Sequence, residues 1–378
     1  MWRSAERIFL AMIGEAPSPI RAHEADEHDF IVRALSAVGV SESDAGDVAD
    51  VLVAADLRGV ESHGIARLDV FYVRRIEGGV VNARPAYATL CDRPTQFALD
   101  AGNGLGHPAG VFAMRKAIDK ARQNGLAFAT VRNSNHYGIA AYYAMLALEH
   151  DCIGLSMTNS THLTVPTFGA QKTQGTNPIS VAIPAHGHAP YVLDMSTSGV
   201  TFGRLEVSER KGKLLKPGWA VGADGRETLD PTTAMTVGAL LPLGGYGTEG
   251  GGHKGYGLGA LVEILCGVLS GGMFGTALGL DERGMHGGTV AHFFGAFRID
   301  ALRDVKDFER DVARELQTFE QSAPVPGVES VVTAGEPERA NTERYRREGV
   351  PIDPKVWDGL DAMAERLGLE KLERFTVG

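Results

Sequence analysis

The segment ESHGIARL, residues 61–68, places a serine, a histidine and an arginine in one short stretch. If the chain is helical here, His63 and Arg67 are four apart and share a face. A hydroxyl, an imidazole and a guanidinium converging on one spot can hold a small carboxylate beside a reactive oxygen. A plainer reading competes: Ser62 caps the helix, His63 is a wet first-turn residue and Arg67 pairs with an acid. On these eight residues alone the plainer reading outweighs the other.

Four further stretches carry chemistry-bearing types. NSNHYG, residues 133–138, follows an apolar run that reads as a strand. Polar residues at a strand's C-terminal end are where open α/β sheets place ligands. His136 can serve there as acid or base, with an ordinary pKa near neutrality; a turn with an exposed histidine is an equal alternative. DMSTS, 194–198, ends another expected strand. Asp194 can orient an imidazole or accept from a cofactor, although a capping aspartate is the commoner case. GTNPIS, 175–180, has turn composition. The glycine-rich stretch at 244–255 matches G-x-G-x-x-G as GYGTEG and GGGHKG. No strand leads into it and no acid stands about twenty residues on, so a Rossmann fingerprint is rejected. Lys254 and the amides opening the next helix can hold an anion, and glycines for close helix packing explain the stretch equally well. His186 and His188 sit at a hairpin turn without a nearby acid or cysteine, so no metal is expected. H-E-x-x-H, G-x-S-x-G and P-loop patterns are absent.

The elements that must position these residues follow from patterning. Apolar Phe30, Ile31, Leu35 and Val38 recur at helical spacing. Ser41 followed by Asp44 reads as a capping box opening a second helix, and a third is expected from Gly64 to about Ile76, ending at Gly78-Gly79. Beyond residue 90 helix and strand alternate: PAGVFAMRKAIDKARQNG, LAFATVRN, IAAYYAMLALEHD, IGLSMTN. SVAIP and YVLDMS make a hairpin. The apolar helix LGALVEILCGVLSG, the strand VAHFFGAFRI, the helix DVKDFERDVARELQ, a strand VESVVTAG and two helices complete the chain. This alternation predicts an α/β fold, a sheet with helices packed on it.

Bulk composition narrows the classes. The 378 residues, 44% hydrophobic and 22% charged, suffice for two or three lobes with a real core. A formal net charge of −10 argues against nucleic acid or an anionic membrane as partner. It also means that an acid-binding site needs local cations. Three scattered cysteines, Cys91, Cys152 and Cys266, fit a reducing compartment, so the cytoplasm is expected. IFLAMI near the start is too short to span a bilayer and loosely imitates a signal peptide; residues 1–24 read as an N-terminal extension or a start-site artefact.

Singly weak, these motifs are informative in order. ADLRGVESHGIARL, NSNHYGIAAYY, GTNPIS, VLDMSTS, GWAVGADGRETLDP and GGHKGYGLGALVEILCGVLSG together resemble the malate/L-lactate dehydrogenase family, from about residue 25 onward. This non-Rossmann group includes sulfolactate, ureidoglycolate and diketogulonate oxidoreductases and cyclic-imine reductases. The resemblance implies hydride exchange between NADH or NADPH and a small 2-oxo acid, giving a 2-hydroxy acid. It implies the sulfolactate-dehydrogenase-like fold: a helical substrate and dimerisation lobe (25–90 with 300–378) and an inserted cofactor-binding α/β lobe (91–299), as a homodimer. In the family's ESHG segment the serine and histidine face substrate and the arginine grips its carboxylate; here these are Ser62, His63 and Arg67. His63 is expected to donate the proton, with Asp194 orienting it, and His136 is the second choice. The cofactor is expected at Asn159, at Gly175, Thr176 and Asn177, at Asp194, Met195, Ser196 and Thr197, near Lys216 and Pro217, at Lys254, and at a late turn including Gly335 and Glu336. That turn reads AGE where the family has proline before the glycine. Near NSTHL, 159–163, some members carry a catalytic lysine; this chain has none, and His162 lies close by.

Two other readings remain. A reductase of cyclic imino acids, of the piperideine- or pyrroline-2-carboxylate type, can use the same histidine and arginine. A silent small-acid-binding protein is disfavoured because Ser62, His63, Arg67, His136 and Asp194 are all present.

Overall fold

The computed structural model describes residues 18–210, 212–278 and 289–376. It opens with strand β1 (Ile20–Ala22) and helices α1 (Glu24–Ala37) and α2 (Glu42–Leu57). Phe30, Ile31 and Leu35 are buried on α1 as their spacing predicts. Ser41 caps α2, its Oγ accepting from the Asp44 amide at 3.2 Å. After an irregular segment comes the short helix α3 (Arg74–Glu77), which stops at Gly78.

Strands β2 (Ala88–Arg93) and β3 (Gln96–Asp100), helix α4 (Gly106–Asn124), β4 (Leu126–Ser134), α5 (Ala140–Met145) and β5 (Cys152–Thr158) follow. Then come the hairpin β6 (Ile179–Ile183) and β7 (Tyr191–Met195), α6 (Phe202–Arg210), β8 (Ala220–Val221), α7 (Pro231–Thr236), β9 (Ala239–Leu240) and α8 (Gly252–Glu263). The chain closes through β10 (Val290–Arg298), α9 (Val305–Glu320), α10 (Glu336–Glu348), β11 (Val350–Pro351), α11 (Pro354–Leu367) and β12 (Phe375–Thr376).

The main sheet has seven strands in the order β2-β3-β4-β10-β5-β6-β7. Among its described strands, only β3 and β4 pair in parallel. Strand β10, late in the chain, lies between β4 and β5 and so closes the sheet behind the early motifs. One core joins α1, α2, Leu68, Tyr72 and α11 around Trp357, Leu360 and Met363. A second packs α4 and α5 on the sheet around Met114, Val131, Tyr143 and Phe294. Each large apolar side chain so enclosed contributes about 1.5–3 kcal/mol.

Two expectations are corrected. Residues 20–22, read as part of an extension, form the central strand of a three-stranded sheet with β11 and β12; residues 1–17 lie outside the described residues. VESVVTAG forms no strand. Its valines do not alternate with period two, and it meets the sheet edge at one backbone bond, the Val192 amide of β7 donating to the Ala334 carbonyl at 3.1 Å. The glycines of the 244–255 stretch serve close packing: a Cβ on Gly252 would lie 1.9 Å from the Gly245 carbonyl, and one on Gly255 2.2 Å from that of Leu243.

Candidate active site

The segment bearing Ser62, His63 and Arg67 is not the single helix expected over 64–76. It runs as two 3-10 turns, Glu61–His63 and Ile65–Arg67, then a π turn, Leu68–Val73. Gly64 between them is extended, and the Ile65 amide donates to Asp56 Oδ2 at 2.5 Å instead of continuing a helical ladder. The three side chains meet all the same. Arg67 folds back, its Nε donating to the Ser62 carbonyl at 2.6 Å, with the guanidinium carbon 4.7 Å from the Phe71 ring centroid. Ser62 caps no helix; its Oγ stands 2.9 Å from His63 Nδ1.

His136, just beyond β4, joins this group. Its ring lies 5.4 Å from that of His63, at 28° between planes. Tyr72 Oη is 2.7 Å from His136 Nδ1, and the Gly138 amide donates to the same nitrogen at 3.3 Å. Neighbouring Asn135 is fixed by Arg75 on its Oδ1 and by donating to Asn103 and Gly104. Among the described residues neither histidine's Nε2 has a protein partner. Behind them stand two enclosed imidazoles. His107, 4.9 Å from the Tyr72 ring, has no partner on either nitrogen among the described residues. His292 bonds Thr158 and Ser134, both at 2.8 Å, and stacks on Tyr137 at 4.5 Å.

Burial sets the electrostatics. It pulls His63 down to about 4, helped by the Arg67 cation beside it. His136 is driven well below its ordinary value, first by burial and then by His63, His107 and the two arginines. His107 and His292 are brought to about 3, again chiefly by burial. The site is therefore a set of neutral imidazoles beside Arg67 and Arg75.

Asp194 is not where its expected role requires. It meets neither imidazole; its Oδ2 accepts from the Ala141 amide at 2.8 Å, at the start of α5, and it feels the Arg58 cation. The residue is exposed near the end of β7, yet the protein packed around its carboxyl desolvates it and raises its pKa to about 6. Its Oδ1 has no protein partner among the described residues. Of the other residues expected at a cofactor, three have buried side chains spent on the scaffold. Asn159 and Asn177 both donate to Glu263, at 3.1 and 2.8 Å, and Thr197 Oγ1 donates to the Thr176 and Asn177 carbonyls. Gly175 is a close approach, since a Cβ there would lie 2.2 Å from Ser160 Oγ. The Thr176 amide donates to that same Oγ at 3.0 Å. Met195 and Ser196 remain half-buried at the strand end, and Lys216, Pro217 and Lys254 are exposed. Gly335 packs against Val192 of β7, with Glu336 opening α10. His162 gives Nδ1–H to the Leu278 carbonyl at 2.6 Å, and no contact joins it to His63 or His136 among the described residues. The hairpin His188 pairs with Glu320 at 3.1 Å.

Sequence reasoning missed Tyr72, Asn135, His107, Glu263 and the carboxyl pair Glu27 and Asp56. Tyr72 lies five positions past Arg67, but no pattern there points at a histidine 64 residues away. Among the described residues no helix is long and apolar enough to cross a membrane, and no three-residue metal-ligand cluster occurs.

Comparison with known proteins agrees with this architecture. The malate/L-lactate dehydrogenase family matches residues 23–361. The malate dehydrogenase of Pyrococcus abyssi is 41% identical over 355 residues, covering 94% of this chain and 97% of that protein. The L-sulfolactate dehydrogenase of Methanocaldococcus jannaschii is 34% identical, covering 91% and 96%. The solved malate dehydrogenase of Pyrococcus horikoshii superposes with a TM-score of 0.85 at 39% identity, over 93% of this chain and 97% of that one. The chain belongs to the malate/L-lactate dehydrogenase family and is an oxidoreductase of 2-hydroxy acids that uses a nicotinamide cofactor.

Proposed function

We propose that the protein reduces a small 2-oxo acid to the 2-hydroxy acid with NADH or NADPH, with His63 as proton donor, His136 as carbonyl polariser and Arg67 as carboxylate clamp. One observation carries the division of labour: the two imidazoles have different partners on Nδ1. A peptide N–H is an obligatory donor, so the Gly138 amide keeps His136 Nδ1 an acceptor. Tyr72 donates to the same atom. His136 is then the Nε2–H tautomer and resists a second proton, which suits a fixed donor to the substrate carbonyl. His63 Nδ1 faces the Ser62 hydroxyl, which rotates to donate or accept. That ring can cycle between imidazole and imidazolium, as a proton donor must.

Arg67 has its terminal nitrogens free of protein acceptors among the described residues, leaving a fork for a carboxylate. Pairing that cation with the substrate's carboxylate also removes the nearest repulsion on His63 and favours its protonation once substrate is bound. The residues present fit a dinucleotide: Asp194 offers an open carboxylate oxygen and Lys216 and Lys254 exposed cations, while the Ser196 hydroxyl is already bonded to Ser198. When bound, the nicotinamide supplies the hydride. The chain's own residues fix the acid's plane, polarise its carbonyl and deliver the proton.

The reading extends to a cytoplasmic homodimer, with residues 25–90 and 300–378 as the substrate and dimerisation lobe and 91–299 as the cofactor lobe. Leu258, Leu261, Ile264, Val268 and Leu269 form an exposed apolar row on α8 and the turn after it, so a subunit contact would also draw on the 91–299 lobe. The test is loss of absorbance at ~340 nm, the reduced-nicotinamide band, with NADH or NADPH against pyruvate, oxaloacetate, sulfopyruvate and piperideine-2-carboxylate. Turnover of an oxo acid supports the reading; turnover of the imine alone replaces it.

A further inference from the structure

Two carboxyls are buried beneath the segment that carries His63 and Arg67. Glu27 of α1 is fully enclosed and Asp56, near the end of α2, is 5% exposed. Among the described residues neither Glu27 oxygen has an N–H or O–H donor from a third residue, so the hydrogen between the Glu27 and Asp56 side chains is one of their own. Burial holds both carboxyls above the ordinary range; Asp56 raises Glu27 further, while the hydrogen bonds from Glu27 and the Ile65 amide partly offset the rise of Asp56. The other ionised groups acting on the pair are Glu24, on α1 itself, and Glu61, in the first 3-10 turn; both are acidic. Asp56 is also the floor of the catalytic segment. Its Oδ2 takes the Ile65 amide at 2.5 Å, and the backbone at Gly64 lies so close that a Cβ there would fall 2.0 Å from the Asp56 carboxyl.

We propose that Glu27 and Asp56 are positioning residues that share one proton and thereby set the place of His63 and Arg67, and that loss of this proton releases the segment. With the proton shared, the pair carries a single charge and Gly64 closes over it. When the proton leaves to solvent, two anions face each other in an apolar setting, with Glu61 adding a third nearby. The pair then separates, and the Ile65 anchor moves with Asp56. The catalytic consequence rests on the roles proposed above for His63 and Arg67; the movement of the segment does not.

Amide hydrogen exchange of residues 58–68, corrected for intrinsic rate, tests this on the full chain without substrate, from about pH 6 to about pH 9. Protection in the wild type is expected to fall as pH rises, and KM for the oxo acid to rise roughly tenfold over the same range. Glu27→Gln replaces the shared proton with an amide N–H that alkali does not remove, so both profiles should become flat. Asp56→Ala should leave the segment unprotected at every pH. Wild-type protection that stays flat overturns the proposal whatever the variants do, as do superimposable wild-type and Glu27→Gln profiles. A chain inert toward oxo acids that still shows the exchange change overturns the proposed function and leaves this inference standing.

Discussion

The histidine wall behind the catalytic segment and the carboxyl pair beneath it solve one problem in opposite ways. Burial penalises the charged form of any group. His107 and His292 respond by staying neutral without a second proton, down to about pH 3. Glu27 and Asp56 respond by keeping a proton, Asp56 up to about 7. Their contributions to stability therefore have opposite signs. For the imidazoles, the unfolded chain binds more protons between its pKa of about 6.5 and the depressed folded value, so stability falls as pH drops through that window. For the carboxyls, the folded chain binds more protons above about 4, so their contribution is full below that and is lost as pH rises, for Asp56 through about 7. The half-open His63 and His136 add less, because water in the cleft screens them.

Variants break or sharpen this contrast. The largest effect is expected from His63→Ala and from Arg67→Ala, each lowering kcat/KM for the oxo acid by roughly a thousandfold with the fold intact by circular dichroism. His136→Gln should lower kcat by about a hundredfold while the pH at which reduction declines stays where His63 places it. If that decline moves with His136 and not with His63, the two roles are exchanged. On the stability side, His107→Leu removes an enclosed imidazole that has no hydrogen bond to lose. Urea unfolding should then show about 2 kcal/mol less loss between neutral pH and about pH 4.5 than the wild type. The smallest change is expected for Tyr72→Phe, which deletes one of two donors to His136 Nδ1 and should slow turnover by less than about tenfold.

Local patterning made the helices α1 and α2, the Ser41 cap, the β6–β7 hairpin and the α/β alternation legible, because each depends on residues within a few positions. The grouping of Ser62, His63 and Arg67 was legible too, since their closeness in sequence survives a change of backbone from helix to 3-10 and π turns. The order of weak motifs identified the family. The sequence did not show that β10 returns between β4 and β5, or that residues 20–22 find a sheet among elements from the far end of the chain. Nor did it show that Asp194 would bind the start of α5, that Asn159 and Asn177 would be spent on Glu263, or that Glu27 and Asp56 would share a site. Those facts join residues far apart in the chain, and burial alone decides the protonation they adopt. Sequence by itself determined which groups were available and which short-range clusters they formed. The tertiary packing decided which nitrogen faced a fixed donor and which carboxyls lost their water, because desolvation and partner geometry exist only once distant segments are packed together.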